Sequence, residues 1–226
     1  MPVFRLAKEP VFPPAELSEA NGLLALGGDL SPERLVKAYG QGIFPWFGED
    51  DPILWWSPDP RLVLFPEKVH VSRTMGQTLK QGTFRISYDS CFREVIMACR
   101  TAREEGGTWI TDAMVEAYVR LHERGLAHSV EAWQQGVLAG GLYGVALGDC
   151  FFGESMFSRV SNASKAALLT LARALQERGF RLIDCQVDSP HLQSLGAELI
   201  PRKAFLDHLA AALSRDRQPG RWSAWS

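Results

Sequence analysis

The sequence predicts an α/β protein whose longer, C-terminal part is built on a mixed β-sheet. Three apolar segments separated by glycine-containing turns come first: residues 127–133, 138–146 and 150–154. Short turns of this kind between apolar segments are typical of an antiparallel meander. An amphipathic helical pattern follows and ends at Gly179. The next apolar segment, residues 181–186, is expected to run parallel to the strand before the helix, because a helix connects the two.

This order of meander, helix and parallel strand is the core order of acetyltransferase-like folds. Ser161 or Asn162 is expected to cap the long helix, and Thr111 or Asp112 to cap an earlier one that ends at Gly125. Further helices are predicted for residues 72–79, 92–104 and 202–213. The polar tail from Ser214 is expected to be loose.

Residues 1–60 differ from the rest of the chain, because they are rich in Pro, Gly and Trp and show little regular periodicity. One short helix is indicated there by Ser31 as its cap, Pro32 in its first turn and Gly40 at its end. We therefore predict a small N-terminal domain, residues 1–60, and a larger acetyltransferase-like domain, residues 61–226.

Composition excludes several classes of protein. The chain of 226 residues is 46% hydrophobic, with a formal net charge of -2, so no global field attracts it to nucleic acid or anionic membranes. Its four cysteines form no CxxC pair and its five histidines have no ligand spacing, so we expect reduced thiols and no metal. We find no signal peptide and no apolar run that could cross a membrane, and we expect a cytoplasmic protein, with nothing to suggest more than a monomer.

A carboxylate and an amide end the last predicted core strand. Asp184 and Gln186 are two residues apart, so their side chains should lie on the same face of the strand. Buried polar groups must be paired, so they either form a structural hydrogen bond or orient a nucleophile, and spacing alone does not decide between the two. Glu154 leaves a similar choice between a cationic substrate group and an ion pair with Arg159.

The turn before the long helix contains no glycine. A helix N-terminus can bind an anion, but the turn here reads RVSNAS, and its Cβ atoms would impede the approach of a pyrophosphate. This argues against coenzyme A. Aromatic residues in loop-like contexts, Trp46 and Trp109 among them, are either ordinary packing or a stacking surface. Leu142, Phe152 and Met156 are either core or the lining of an apolar pocket.

Basic residues are concentrated between Lys68 and Arg85, where no acidic residue intervenes. Such a segment is usually a solvated helix face, but it is also sufficient to contact a few phosphates.

Taken together, these segments resemble the leucyl/phenylalanyl-tRNA–protein transferase family. The matching pieces occur in order from about Gly22 to Arg202: GLLALGGDLSPERLVKAYGQGIFPWF, ILWWSPDPR, GTWITDAMVEAYVRLHERGLAHSVEAW, GGLYGV, FFGESMFSRVSNASKAAL, LIDCQ and SLGAELIPR. The resemblance implies an enzyme that moves Leu or Phe from aminoacyl-tRNA to the α-amino group of a protein beginning with Arg or Lys, which marks the product for degradation. It implies no metal, no coenzyme A and no other cofactor.

The resemblance also implies roles for particular residues. Asp184 and Gln186 fall on the family's catalytic pair, and Glu154 on its motif glutamate. Trp46 and Trp109 would contact the aminoacyl end of the tRNA, and Leu142, Phe152 and Met156 would form the pocket for the Leu or Phe side chain. Arg73, Lys80 and Arg85 would contact the tRNA. Two alternatives remain: an acyl-CoA-dependent N-acetyltransferase on the same fold, and a non-catalytic module that binds tRNA.

Overall fold

The computed structural model describes residues 3–102, 108–215 and 217–225. The strands in these ranges are β1 (Phe4–Leu6), β2 (Leu23–Gly27), β3 (Phe44–Pro45), β4 (Leu54–Trp56), β5 (Arg61–Leu64), β6 (Arg85–Tyr88), β7 (Ala127–Gln134), β8 (Val137–Leu147), β9 (Cys150–Ser158), β10 (Leu182–Gln186) and β11 (Glu198–Ile200). The α-helices are α1 (Pro32–Gly40), α2 (Arg73–Lys80), α3 (Phe92–Thr101), α4 (Asp112–Glu123), α5 (Ala163–Glu177), α6 (Pro190–Gln193) and α7 (Arg202–Leu213).

The strands form two sheets. The smaller one has the order β1-β2-β4-β3, and the larger one has the order β11-β5-β10-β9-β8-β7-β6. Within the larger sheet β10 pairs with β9 in parallel, and the other neighbouring strands are antiparallel. The predicted α/β class with a mixed sheet is therefore confirmed, and so is the predicted order of meander, helix and parallel strand.

Two of the predicted caps are present and one is not. The Ser31 and Thr111 hydroxyls accept hydrogen bonds from the first turns of α1 and α4. At α5 the prediction is wrong: Asn162 adopts a left-handed conformation with φ 70° and makes no side-chain cap. Ser158, at the end of β9, accepts the bond from the Ser164 backbone N–H instead, at 2.9 Å.

Two predicted element ends also need correction. β9 continues to Ser158, so Glu154 lies inside a strand rather than at its end. β9 is longer than predicted because its pairing with β8 continues beyond Glu154, up to the pair Gly140–Ser158. Helix α3 ends at Thr101, and residues 103–104 of the predicted helix lie outside the described ranges.

The C-terminal tail is docked rather than loose, contrary to the prediction. The Trp222 side chain is buried and stacks on His128 with ring centroids 3.8 Å apart. The Trp225 ring in turn stacks on the Trp222 ring, with centroids 3.9 Å apart. Arg217 also pairs with the buried carboxylate of Asp149 at 2.5 Å. Apolar stacking and ion pairing therefore hold a segment that its polar composition does not predict to be ordered.

One hydrophobic cluster includes buried residues on both sides of position 60, such as Trp55 and Val63. This hydrophobic cluster crosses the predicted domain boundary, and the division between residues 60 and 61 stays a prediction. None of the four cysteines, all in the described ranges, forms a disulfide bond. Within those ranges no His, Cys, Asp or Glu cluster could hold a metal ion, and no helix has the length and hydrophobicity to cross a bilayer.

Candidate active site

The candidate site lies where strands β9 and β10 separate. Their parallel pairing runs from Leu182–Cys150 to Asp184–Phe152, beyond which β9 continues alongside β8 alone. The gap opens into a cavity of about 310 Å³, within the range of small-molecule sites. Its lining comes from both strands and from five other parts of the chain: Phe44, Pro45, Trp46, Trp109, Leu142, Tyr143, Phe151, Gly153, Glu154, Ser155, Met156, Leu168, Ile183, Cys185, Gln186, Val187, Ser189, His191 and Leu192.

Two β-bulges shape this cavity. On β9, Gly153 pairs with Gly144 and Ser155 pairs with Tyr143, so Glu154 is an extra residue without a partner on β8. On β10 the register shifts between Asp184 and Gln186, and Gln186 has a φ of 62°. A bulge breaks the regular alternation of side chains and re-aims them. As a result Gln186 lines the cavity and Asp184 does not, although the alternation of a regular strand places both on one face.

The Glu154 carboxylate is buried among hydroxyl and amide donors. Oε1 accepts hydrogen bonds from Tyr39 of α1 (2.7 Å) and from the Gln186 amide (3.1 Å), and Oε2 accepts one from Tyr118 of α4 (2.9 Å). Burial raises the pKa of Glu154 to about 7, and the hydrogen bonds from the two tyrosines only partly offset it. These partners do not include Arg159, so the ion pair between Glu154 and Arg159, one of the two alternatives that the sequence left open, is not formed.

Asp184 forms an ion pair with Arg61 of β5 that is fully buried. The guanidinium Nε lies 2.8 Å from Oδ1 and Nη2 lies 2.6 Å from Oδ2. Oδ1 also accepts the backbone N–H of Gln186 at 2.9 Å. Asp184 thus holds the bulged backbone of Gln186 in place from outside the cavity. Of the two roles that the sequence left open, this is the structural hydrogen bond.

The predicted aromatic and apolar residues mostly converge on the cavity. Trp46, with 42% of its surface exposed, lies at the mouth next to Trp56, and Trp109 is half-buried. Leu142 and Met156 face each other across β8 and β9 and both line the cavity. Phe152 does not: its ring is fully buried in the core against Tyr39, and Phe151 lines the cavity in its place.

The predicted tRNA-binding residues lie elsewhere. Arg73 and Lys80, at the two ends of α2, and Arg85, at the start of β6, are all exposed, and none of them lines the cavity. The Arg85 guanidinium lies 5.5 Å from the centre of the Trp133 ring. We call these three exposed basic side chains the basic surface.

Sequence reasoning missed Tyr39 and Tyr118, which contact Glu154, and Arg61, which contacts Asp184. The signal was faint. Tyr39 and Tyr118 read as members of apolar helix stripes, and Arg61 as the first residue of a strand. Three buried polar side chains on two strands do require partners, but the sequence does not say which residues supply them.

Comparison with known proteins identifies the family. The model for the leucyl/phenylalanyl-tRNA protein transferase matches residues 63–210, and that for the N-terminal domain of the same family matches residues 28–59. A leucyl/phenylalanyl-tRNA–protein transferase from Anaeromyxobacter dehalogenans (strain 2CP-C) is 55% identical over 98% of this chain and 96% of its own. One from Stutzerimonas stutzeri (strain A1501) is 58% identical over 90% of this chain and 92% of its own.

Solved structures match more weakly. An aminoglycoside acetyltransferase from an uncultured soil metagenomic sample, in complex with sisomicin, aligns with a TM-score of 0.40 and 15% identity over 61% of this chain and 93% of its own. A GCN5-related N-acetyltransferase from Kribbella flavida aligns with a TM-score of 0.40 and 13% identity over 76% of this chain and 61% of its own. Neither contributes to the assignment, which the family models and the close relatives establish: the chain belongs to the leucyl/phenylalanyl-tRNA–protein transferase family and is an aminoacyltransferase.

Proposed function

We propose that this enzyme transfers Leu or Phe, with Met as a third candidate, from aminoacyl-tRNA to the N-terminal α-amino group of proteins that begin with Arg or Lys. The product is thereby marked for degradation. The observation that carries the proposal is the composition of one cavity, in which tryptophan, apolar side chains, a carboxylate and an amide meet. Such a cavity suits an amino-acid ester at one end and an amine at the other.

The donor end is assigned to the aromatic and apolar part of the lining. Trp46 and Trp109 offer ring faces on which the terminal adenosine can stack. Leu142 and Met156 form an apolar wall for the Leu or Phe side chain. An apolar pocket distinguishes substrates by about 1–3 kcal/mol per methylene, and we expect β-branched side chains to fit worst.

The acceptor end is assigned to the polar part. The aminoacyl ester is already activated, so the enzyme mainly has to align it with the amine. The amine attacks the ester carbonyl while the Gln186 amide oxygen accepts one of its hydrogen bonds. Asp184 acts as a positioning residue through the Gln186 backbone N–H, and Glu154 contacts a cationic group of the substrate. The leaving group is the terminal ribose hydroxyl of the tRNA.

The basic surface of Arg73, Lys80 and Arg85 is proposed to bind the tRNA body. All three side chains are exposed and lie outside the cavity, as phosphate contacts beyond the aminoacyl end require. Contacts of this kind weaken as salt increases. We expect replacement of any one of them by Ala to lower tRNA affinity and to reduce its salt dependence, with little effect on the reaction of a short aminoacyl-nucleotide donor.

Acyl-CoA-dependent acetylation is the second enzymatic alternative, and the start of α5 speaks against it. The backbone N–H groups of Arg159 and Val160 both bind the Ala139 carbonyl, and that of Ser164 binds the Ser158 hydroxyl. Donors that are already satisfied have little to offer a pyrophosphate. A non-catalytic tRNA-binding module, the third reading, would not need the buried pair of Asp184 and Gln186.

A transfer assay tests the proposal. Labelled Leu-tRNA and a peptide starting with Arg are incubated with the enzyme, with and without ribonuclease, and parallel reactions contain a peptide starting with Ala or labelled acetyl-CoA. We expect transfer only to the Arg peptide and only with intact tRNA. Asp184→Ala and Gln186→Ala should both slow transfer, and wild-type rates in both variants would remove these residues from the mechanism. Acetylation, or binding of Leu-tRNA without transfer, would replace the proposal by one of its alternatives.

A further inference from the structure

Three side chains at the base of the cavity form a closed ring of oxygen contacts. The Tyr39 hydroxyl contacts Glu154 Oε1 at 2.7 Å, and the Tyr118 hydroxyl contacts Oε2 at 2.9 Å. The two hydroxyls also contact each other. All three residues are buried, and Glu154 is the one that reaches the cavity.

The number of protons in this ring determines the state of the carboxyl group. Each of the three oxygen–oxygen contacts needs one hydrogen, and the two tyrosines supply two. When Glu154 is protonated it supplies the third, so that each member donates one bond and accepts one. When Glu154 is ionised, both hydroxyls donate to the carboxylate and the contact between them has no hydrogen. The ring is therefore complete only with a proton on Glu154.

The other charged and titratable groups around Glu154 leave its protonated and ionised forms close in free energy at neutral pH. Asp184 disfavours the ionised carboxylate, but its charge is neutralised by Arg61. Gln186 donates to Oε1 and does not titrate. Burial sets the pKa of Glu154 at about 7, close to the ordinary value of an α-ammonium group, about 7.7–8.0. Among the described residues, the further titratable groups on this side are Tyr143, whose ring packs edge-on against Tyr118, and two residues that line the cavity, Cys185 and His191.

We propose that Glu154 is the base that takes a proton from the α-ammonium group of the acceptor protein, and that Tyr39 and Tyr118 are positioning residues that hold the ionised carboxylate by donating a hydrogen bond to each of its oxygens. This role rests on the proposed function, and it identifies the cationic group that contacts Glu154 as the α-ammonium group that reacts. An N–H bond of the ammonium breaks and an O–H bond forms on Glu154. The freed lone pair makes the C–N bond. The ester C–O bond then breaks, and the ribose oxygen takes its electron pair and a proton from the attached nitrogen. Glu154 later returns its proton to water.

The variant Glu154→Gln removes the proton acceptor but keeps the hydrogen-bonded ring. The amide of glutamine has nearly the same shape, and it can accept from Tyr39 and Gln186 and donate to Tyr118, so the variant should fold. It cannot accept a proton, so it must use acceptor molecules that are already neutral in solution. The rate advantage of the wild type should therefore fall by roughly tenfold or more between pH 6.5 and 8.5, as the acceptor amine deprotonates by itself. Burial holds the pKa of the Cys185 thiol well above this pH range, and His191 is present in both proteins, so neither residue changes this ratio. A ratio that does not change with pH would overturn the proposal.

Tyr39→Phe and Tyr118→Phe test the positioning role. Loss of a hydroxyl that donates to the carboxylate raises the pKa of Glu154, so the acid limb of the pH–rate profile should move to higher pH in both variants. The matched control is Tyr88→Phe, which removes a hydroxyl from a buried tyrosine of β6 that packs against Trp225. It should leave the limb in place. Lower rates with an unmoved limb in the Tyr39 and Tyr118 variants would mean that the ring is merely structural.

A direct titration separates this proposal from the proposed function. Protein labelled with ¹³C in its glutamate side chains is titrated by NMR, and the Glu154 signal is identified by its loss in Glu154→Gln. We expect a midpoint near neutral pH that rises in Tyr39→Phe. A midpoint near the ordinary glutamate value, about 4.3, would refute the inference even if transfer is observed. Absence of transfer in the wild type, with a neutral midpoint, would instead refute the proposed function.

Discussion

Replacement of Asp184 by Asn tests how the fold supports the site. Arg61 and Asp184 are fully buried and joined by two hydrogen bonds. The asparagine keeps an oxygen that can accept from both the Gln186 N–H and Arg61 Nε, but the guanidinium loses its counter-charge and the bond from Nη2. Its other contacts are the Gly42 carbonyl, at 3.1 Å, and two aromatic rings. Removing one partner of a buried ion pair costs about 3–5 kcal/mol. For a chain of this length, that lowers the Tm by roughly 6–20 °C.

Urea unfolding followed by tryptophan fluorescence measures this change, with linear extrapolation to zero denaturant. Two companion variants make the result specific. Arg61→Met combined with Asp184→Asn removes the unpaired charge, so the double variant should be less destabilised than Asp184→Asn alone. Gln186→Ala removes one hydrogen bond and no charge, and should cost about 0.5–1.5 kcal/mol. A loss below about 1 kcal/mol in Asp184→Asn, or a double variant as unstable as the sum of its parts, would refute the reasoning.

Three further predictions concern the tail, the bulged strand pair and the cavity mouth. Trp222→Ala removes a buried ring stacked on His128 and should cost about 3–5 kcal/mol in thermal unfolding, whereas a truly loose tail would show no change. Gly144→Ala places a Cβ 2.2 Å from a backbone oxygen of β9 and should cost about 1–3 kcal/mol. The control Gly76→Ala, in helix α2, places a Cβ in ordinary van der Waals contact with Val71 at 4.0 Å and should stabilise by about 0.4–1 kcal/mol; equal effects would contradict the packing argument. Trp46→Ala should weaken binding of Leu-tRNA by about 1–3 kcal/mol in filter binding at an unchanged Tm, because its side chain is 42% exposed, and unchanged affinity would exclude stacking there.

Much of the fold could be predicted from local patterns. The turns at Gly136 and Gly148, the cap at Thr111 and the stop at Gly179 each act within a few residues, so they could be read without knowing the rest of the molecule. The same holds for the parallel pairing of β10 with β9, which follows from the helix between them. Two of the wrong expectations, the cap of α5 and the loose tail, involve partners that are distant or unexpected in sequence.

By itself, the amino-acid sequence determined the order of elements, the family and the residues from which the site is drawn. The tertiary structure alone decided what those residues contact: Tyr39 lies 115 positions from Glu154 in sequence, and Arg61 lies 123 positions from Asp184. It also decided that Gln186 faces the cavity and Phe152 the core, because bulges on β9 and β10 shift the alternation of side chains. The physical reason is that periodicity and turn chemistry are local, whereas the pairing of buried polar groups is selected by desolvation among whichever side chains packing brings together.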